Sequence, residues 1–343
     1  MPLKRMKRTL ALVGLGVCCV AFRLAVVQAQ IGAPPADARP SPVRSGVNTP
    51  GVKRGMSAIK PIAVFPVDGS PDWQVVTDDA VWVTSAKTNT VRRLDPKTNK
   101  VVATVDVGSQ PCSGLAAGFG SIWVPNCTDQ TISRIDIKTN TVMSKIDVGP
   151  AAREGGITAS ADSVWILSDK KGLLSRIDPA TNRPVAEIQM PKGSVVCVVG
   201  EDRAIWVVSP DESVVARVDP KTNLVTDRIE VGPQPRFATA GAGSIWTLNQ
   251  GDGSVSRIDV RTKKHVTDIQ LGVPGTGGDI AYGEGSIWVT VMQVPLTQVD
   301  PDTNKVVKQW FGEGGDAVRV GHGSLWLSNG RQQNVWRIDP KQP

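Results

Sequence analysis

Three carboxylates and one guanidinium are the residues whose placement could support chemistry: Asp72, Asp279, Asp316 and Arg236. Each stands near the start of a repeat unit, nine or ten residues before a tryptophan, where the other copies carry unrelated residues such as Ser113, Gly155 and Val196. Acids brought to one place repel unless a proton, an arginine or a bound cation compensates, and Ca²⁺ or Mg²⁺ takes oxygen ligands of this kind. Trp73 adds an aromatic surface beside Asp72, and Asn126, Asn249 and Asn329, each three residues after a repeat tryptophan, add amides on the same face. Together these eight residues form the candidate ligand site. The competing reading is a rim of solvated charge. The sequence shows no Cys/His cluster, phosphate-cradling loop or nucleophile–base pair, so no catalytic residue is assigned. No cofactor beyond Ca²⁺ or Mg²⁺ is indicated.

These residues meet only if the chain folds as a ring. Seven tryptophans (Trp82, Trp123, Trp165, Trp206, Trp246, Trp288 and Trp326) recur at spacings of 38 to 42 residues, each followed 12 or 13 residues later by an aspartate, from Asp95 to Asp339. A period near 40 in segments of strand-forming residues is the signature of propeller blades. The fifth unit reads as four strands: Phe237–Ala240, a Gly-Ala-Gly turn, Ser244–Leu248, a polar loop, Ser254–Asp259, and His265–Ile269. The expected fold is all-β, a seven-bladed β-propeller with four-stranded antiparallel blades. The repeated Asp-Pro-x-Thr-Asn segments (Asp95, Asp178, Asp219, Asp300) read as turns, since Asp accepts from amides two residues on and Pro presets φ. The Arg two residues before most of these aspartates reads as scaffold, as does the tryptophan. The seventh copy stops after its third strand, and Pro61–Gly69 resembles a fourth, so the N-terminal strand is expected to close the last blade.

The formal charge of +7 is uneven. Setting aside the ten basic residues and one acid of positions 1–60 leaves 29 basic against 31 acidic residues, a net charge near −2. That balance argues against nucleic-acid binding. Lys4, Arg5, Lys7 and Arg8 precede an apolar stretch from Leu10, and Val27-Gln28-Ala29 offers a cleavage site, so 1–29 reads as an export signal. An uncleaved anchor is the alternative, although Arg23 interrupts the stretch. Residues 30–60, rich in Pro, Gly and Ser, read as a disordered linker, and 61–343 as the propeller. The mature protein is expected outside the cytoplasm, periplasmic or secreted, monomeric, and not inserted in a membrane after cleavage.

The Ser-Ile-Trp-Val, Ser-Arg-Ile-Asp-Pro and Thr-Asn-x-Val-Val elements resemble YVTN-type β-propeller repeats and, more distantly, the virginiamycin B lyase (streptogramin lyase) propellers. The resemblance covers 61–343 and rests on scaffold residues. The first group implies an exported propeller in binding contexts. The second implies Mg²⁺-assisted C–O bond elimination with a histidine base at the channel mouth. Only His265 and His322 exist; the first falls on an outer fourth strand and the second in a turn on the opposite face. The sequence therefore favours an interaction module taking a protein or small-molecule ligand at its loop face. The alternative is a streptogramin-lyase-like C–O lyase or a cation-dependent lactone hydrolase. Cys112 and Cys127 flank one hairpin and are expected to form a disulfide in an oxidising compartment, leaving Cys197 as a buried thiol.

Overall fold

Alternation of apolar and polar residues over five to seven positions, punctuated by turn residues, makes each repeat a four-stranded antiparallel sheet. The computed structural model describes residues 44–341. Its blades begin at Pro71, Ala116, Ile157, Val196, Pro235, Asp279 and Val318. Within each blade the strands lie in sequence order, except that an N-terminal strand forms the outer edge of blades 6 and 7. The first strands of successive blades touch one another in a closed circuit, blade 7 against blade 1 included, so they line the central channel.

The repeat tryptophans explain how the blades pack. All seven are fully buried on the second strands. Burying a ring of about 200 Å² is worth roughly 5 kcal/mol, which no other residue of the repeat matches. In every blade except the sixth an Arg stands opposite the Trp on the third strand, as Trp246 opposite Arg257. Its guanidinium lies over the indole at 4.5 to 6.0 Å. The same guanidinium commonly reaches the next blade. Arg257 Nη1 donates to Pro301 O at 2.6 Å and to Asn304 Oδ1 at 2.9 Å. Asn304 holds φ at 55°, a left-handed conformation that Asn tolerates, so one residue both makes the turn and accepts the clasp. The turn aspartates accept from the amides that follow, as Asp95 does from Lys97 N at 2.7 Å.

The ring closes as the repeat arithmetic requires. Ala63–Pro66 pairs antiparallel with Asn334–Ile338 as the fourth strand of blade 7, and Phe65 packs on Trp326 with centroids 5.4 Å apart.

Two features go beyond the sequence reading. Composition places residues up to 60 in a disordered linker, yet from Arg44 onward the chain is docked on the propeller. Lys53–Gly55 pairs parallel with Lys305–Phe311 and gives blade 6 a fifth strand. Val52, Met56 and Ile59 are buried, and Arg44 donates to the carbonyls of Pro274, Thr276 and Met292 at 2.7 to 2.9 Å. A few apolar anchors and one arginine hold a segment whose average composition hides them. Residues 1–29, read from the sequence as an export signal, and residues 30–43 lie outside the described residues.

The second feature is a bulge at the same register in the outer strand of blades 1 to 6. It leaves Val102, Met143, Val185, Thr226, Val266 and Val307 without a partner across the ladder. Five of these six carry exposed apolar side chains.

Candidate functional site

The first strands position the site because each starts at the mouth of the channel and runs inward. Asp72 and Arg236 are the second residues of strands Pro71–Val76 and Pro235–Gly241, and Asp279 opens strand Asp279–Gly283. Asp316 lies two residues before strand Val318–Gly321. One residue deeper than Asp72 and Arg236, Trp73 of blade 1 meets Phe237 of blade 5, centroids 6.0 Å apart and planes tilted by 49°. These blades face each other around the ring, so the aromatic pair crosses the channel and makes a floor.

Local ties fix the acids. Ser328 of blade 7 donates to the backbone carbonyl of Asp72 at 2.6 Å, and Gln74 donates to Ser328 at 2.8 Å. Thr290 of blade 6 donates to the backbone carbonyl of Asp316. Gly278 is needed before Asp279: its φ is 106°, and a Cβ there would stand 2.0 Å from Thr290 O.

The charged groups divide into committed and uncommitted ones. Asp279 is 3% exposed and accepts from Ile280 N at 2.8 Å, from Val318 N at 3.1 Å and from the Arg319 guanidinium, which binds blade 6 to blade 7. Burial raises its carboxyl above the usual range, against the pull of Arg319 and the two amides. The side chains of Asp72, Asp316 and Arg236 make no hydrogen bond or ion pair among the described residues. Loss of water in the channel pushes Asp72 well above the ordinary carboxylate range, and the charges of Asp316, Asp279 and Glu154 push the same way against Arg319. Asp316 rises to about 6, first by burial, then through Glu154 and Asp279. Burial lowers Arg236, and Glu154 offsets part of that.

The structure thus brings Asp72, Trp73, Arg236, Asp279 and Asp316 to the mouth and adds Glu154 and Arg319. Glu154 belongs to an irregular loop before blade 3, outside the repeat register, and Arg319 follows Asp316 by three residues with no counterpart in the other copies. The three asparagines are placed differently. Asn126, Asn249 and Asn329 are buried inside their blades. Asn126 shares hydrogen bonds with Thr131 and Ser133 at 3.2 and 3.0 Å. Asn249 donates to Ser254 and Ser256, both at 2.8 Å, and Asn329 accepts from Gly315 N at 2.7 Å. They tie loops to strands and expose no amide to a ligand, a correction to the sequence reading.

Among the described residues, no three His, Cys, Asp or Glu side chains are grouped to hold a metal ion. His265 sits on an outer strand, 2.9 Å from Asp268, and His322 sits in a turn of blade 7, 2.9 Å from Thr77 O. Neither is at the mouth. Cys112 and Cys127 are joined in a disulfide with Cα atoms 5.8 Å apart, which ties the approach to Ser113 against the end of the second strand of blade 2. Burial pushes the Cys197 thiol far up, and it donates weakly to the carbonyls of Gly156 and Trp165.

No family model and no curated protein matches the chain, so the likeness to YVTN-type repeats stands without a matching family. Solved structures do match. A streptogramin B lyase structure covers 80% of this chain and 94% of its own, at 18% identity and a TM-score of 0.67. Virginiamycin B lyase from Staphylococcus aureus, in a catalytically inactive form with quinupristin, covers 79% and 95% at 17% identity and 0.68. Kuenenia stuttgartiensis hydrazine synthase covers 87% and 100% at 15% identity and 0.67. At these identities the likeness concerns the propeller fold alone.

Proposed function

We propose that this chain is an exported, monomeric propeller that binds a small ligand in the mouth of its central channel. The observation that carries the reading is the state of Asp72, Asp316 and Arg236. In five of the seven blades an arginine clasps the neighbouring blade, and aspartates cap turns. Among the described residues these three side chains, from blades 1, 7 and 5, make no hydrogen bond or ion pair, and they stand over a floor of Trp73 and Phe237. Keeping charged groups part-buried without a bonded partner costs stability, which is the usual condition of groups reserved for a ligand. Export is supported by the leader-like N-terminus and by a disulfide, which persists in oxidising compartments.

A lyase or lactone hydrolase reading would need a proton acceptor at the mouth. Both histidines lie elsewhere, so the histidine base that the likeness to the lyases implies has no counterpart at this mouth. Screening a small-molecule library by thermal shift, against the wild type and an Asp72→Asn/Arg236→Ala double variant, tests the proposal. Ligands that stabilise only the wild type are expected. Hits that stabilise both proteins equally would move the site away from the mouth.

A further inference from the structure

We propose that the mouth ligand is an organic cation, a protonated amine held between Asp72 and Asp316 with its apolar part on Trp73. This rests on the reading of the mouth as a binding site and adds the chemical class.

The charges at the mouth nearly cancel in two places and not in the third. Asp279 is bonded to Arg319, and Arg236 feels the opposite charge of Glu154. Asp72 and Asp316 are left as the surplus, on adjoining blades 1 and 7. Each is close enough to other carboxylates for their repulsion to favour its neutral form, although no three acids group tightly enough for a metal ion. Hard cations such as Ca²⁺ want six or more oxygens at close range. A surplus spread across two blades suits a larger ion with its charge at the end of an apolar body.

The rest of the ring fits such an ion. Ser113 occupies on blade 2 the position that Asp72 occupies on blade 1. It is 1% exposed and its hydroxyl has no partner. That hydroxyl stands 2.6 Å from where a Cβ would fall on Gly155, the corresponding position of blade 3, so it belongs to the same ring. A buried hydroxyl without a partner costs about 1–3 kcal/mol, and an ammonium N–H would satisfy it. Trp73, 5% exposed, adds the ring face that attracts cations.

Titration calorimetry with butylammonium and choline, against butanol and butyrate as neutral and anionic matches, tests the class. Both ammonium ions are expected to bind, butylammonium the tighter because it alone has an N–H for Ser113, and butanol and butyrate are not. Asp316→Asn and Asp72→Asn should each weaken ammonium binding at least fivefold, while Asp302→Asn, on an exposed outer turn, should not. These ammonium ions stay charged across the range, so ionisation of Asp316, raised to about 6 by burial and by Glu154 and Asp279, sets the pH profile. Affinity should rise about tenfold between pH 5 and pH 7.5. Binding of butanol or butyrate in preference, or of none of the four, overturns the cation class. The mouth reading itself falls only if library ligands bind the double variant as well as the wild type.

Discussion

Arg337, on strand Asn334–Ile338 of blade 7, donates to Asn99 Oδ1 in the first blade at 2.9 Å. The contact repeats the clasp made by Arg93, Arg134, Arg176 and Arg257, so the ring is closed twice, once by strand Ala63–Pro66 and once by a side chain. The clasp is missing where Arg217 turns to Asp202 and where Gln298 replaces the arginine. Replacing Arg337 by Ala should cost about 1.5–3 kcal/mol, the range for hydrogen bonds to a charged group. Urea unfolding would measure it. An unchanged midpoint would mean that the strand alone closes the ring.

Reducing the Cys112–Cys127 bond should destabilise the fold by about 3 kcal/mol, the value for a loop of some 15 residues. In protein that begins at residue 44, thiol titration after denaturation should return one thiol before reduction and three after. In the native state Cys197 should resist alkylation at pH 8, because its thiolate is disfavoured by burial.

Asp316 should make stability fall with rising pH. Its folded value, about 6, is above the unfolded one, so its contribution is intact below the unfolded value and is lost as pH rises through 6. Asp72 acts in the same direction. Asp316→Asn should therefore raise the melting temperature at pH 7.5 and leave it nearly unchanged at pH 4. An equal change at both would remove the electrostatic cause.

Arg44→Ala should loosen the loop that leads into Asp279, since it deletes three hydrogen bonds to the carbonyls of Pro274, Thr276 and Met292. Amide exchange in 272–278 should speed up at least tenfold, while the strands of blades 2 and 3 keep their protection.

The fold was legible because its strongest contacts recur at a fixed period. Trp246 and Arg257 repeat in register, and repetition separates scaffold from site. The mouth was legible in part by the same logic, since Asp72, Arg236 and Asp316 break the repeat at one depth. Glu154 escaped because a loop outside the register carries it. The asparagines misled because a polar residue at the end of a second strand can point into the blade as readily as into the channel. The docking of Val52, Met56 and Ile59 escaped because three anchors are diluted by proline, glycine and serine around them.

The outer-strand bulges bear on how this molecule meets others of its kind. A straight strand edge is a template for another chain, and seven such edges would make the disc a nucleus for sheet growth. A kink at Val102, Met143, Val185, Thr226, Val266 and Val307 breaks the row of free amides and carbonyls, and blade 6 is further covered by Lys53 and Arg54. Six edges are thereby interrupted, and the seventh, on blade 7, is a strand of four residues that ends in Pro66. Sheet growth through the rim is disfavoured when the protein is crowded, and the two ends of the ring are left for recognition.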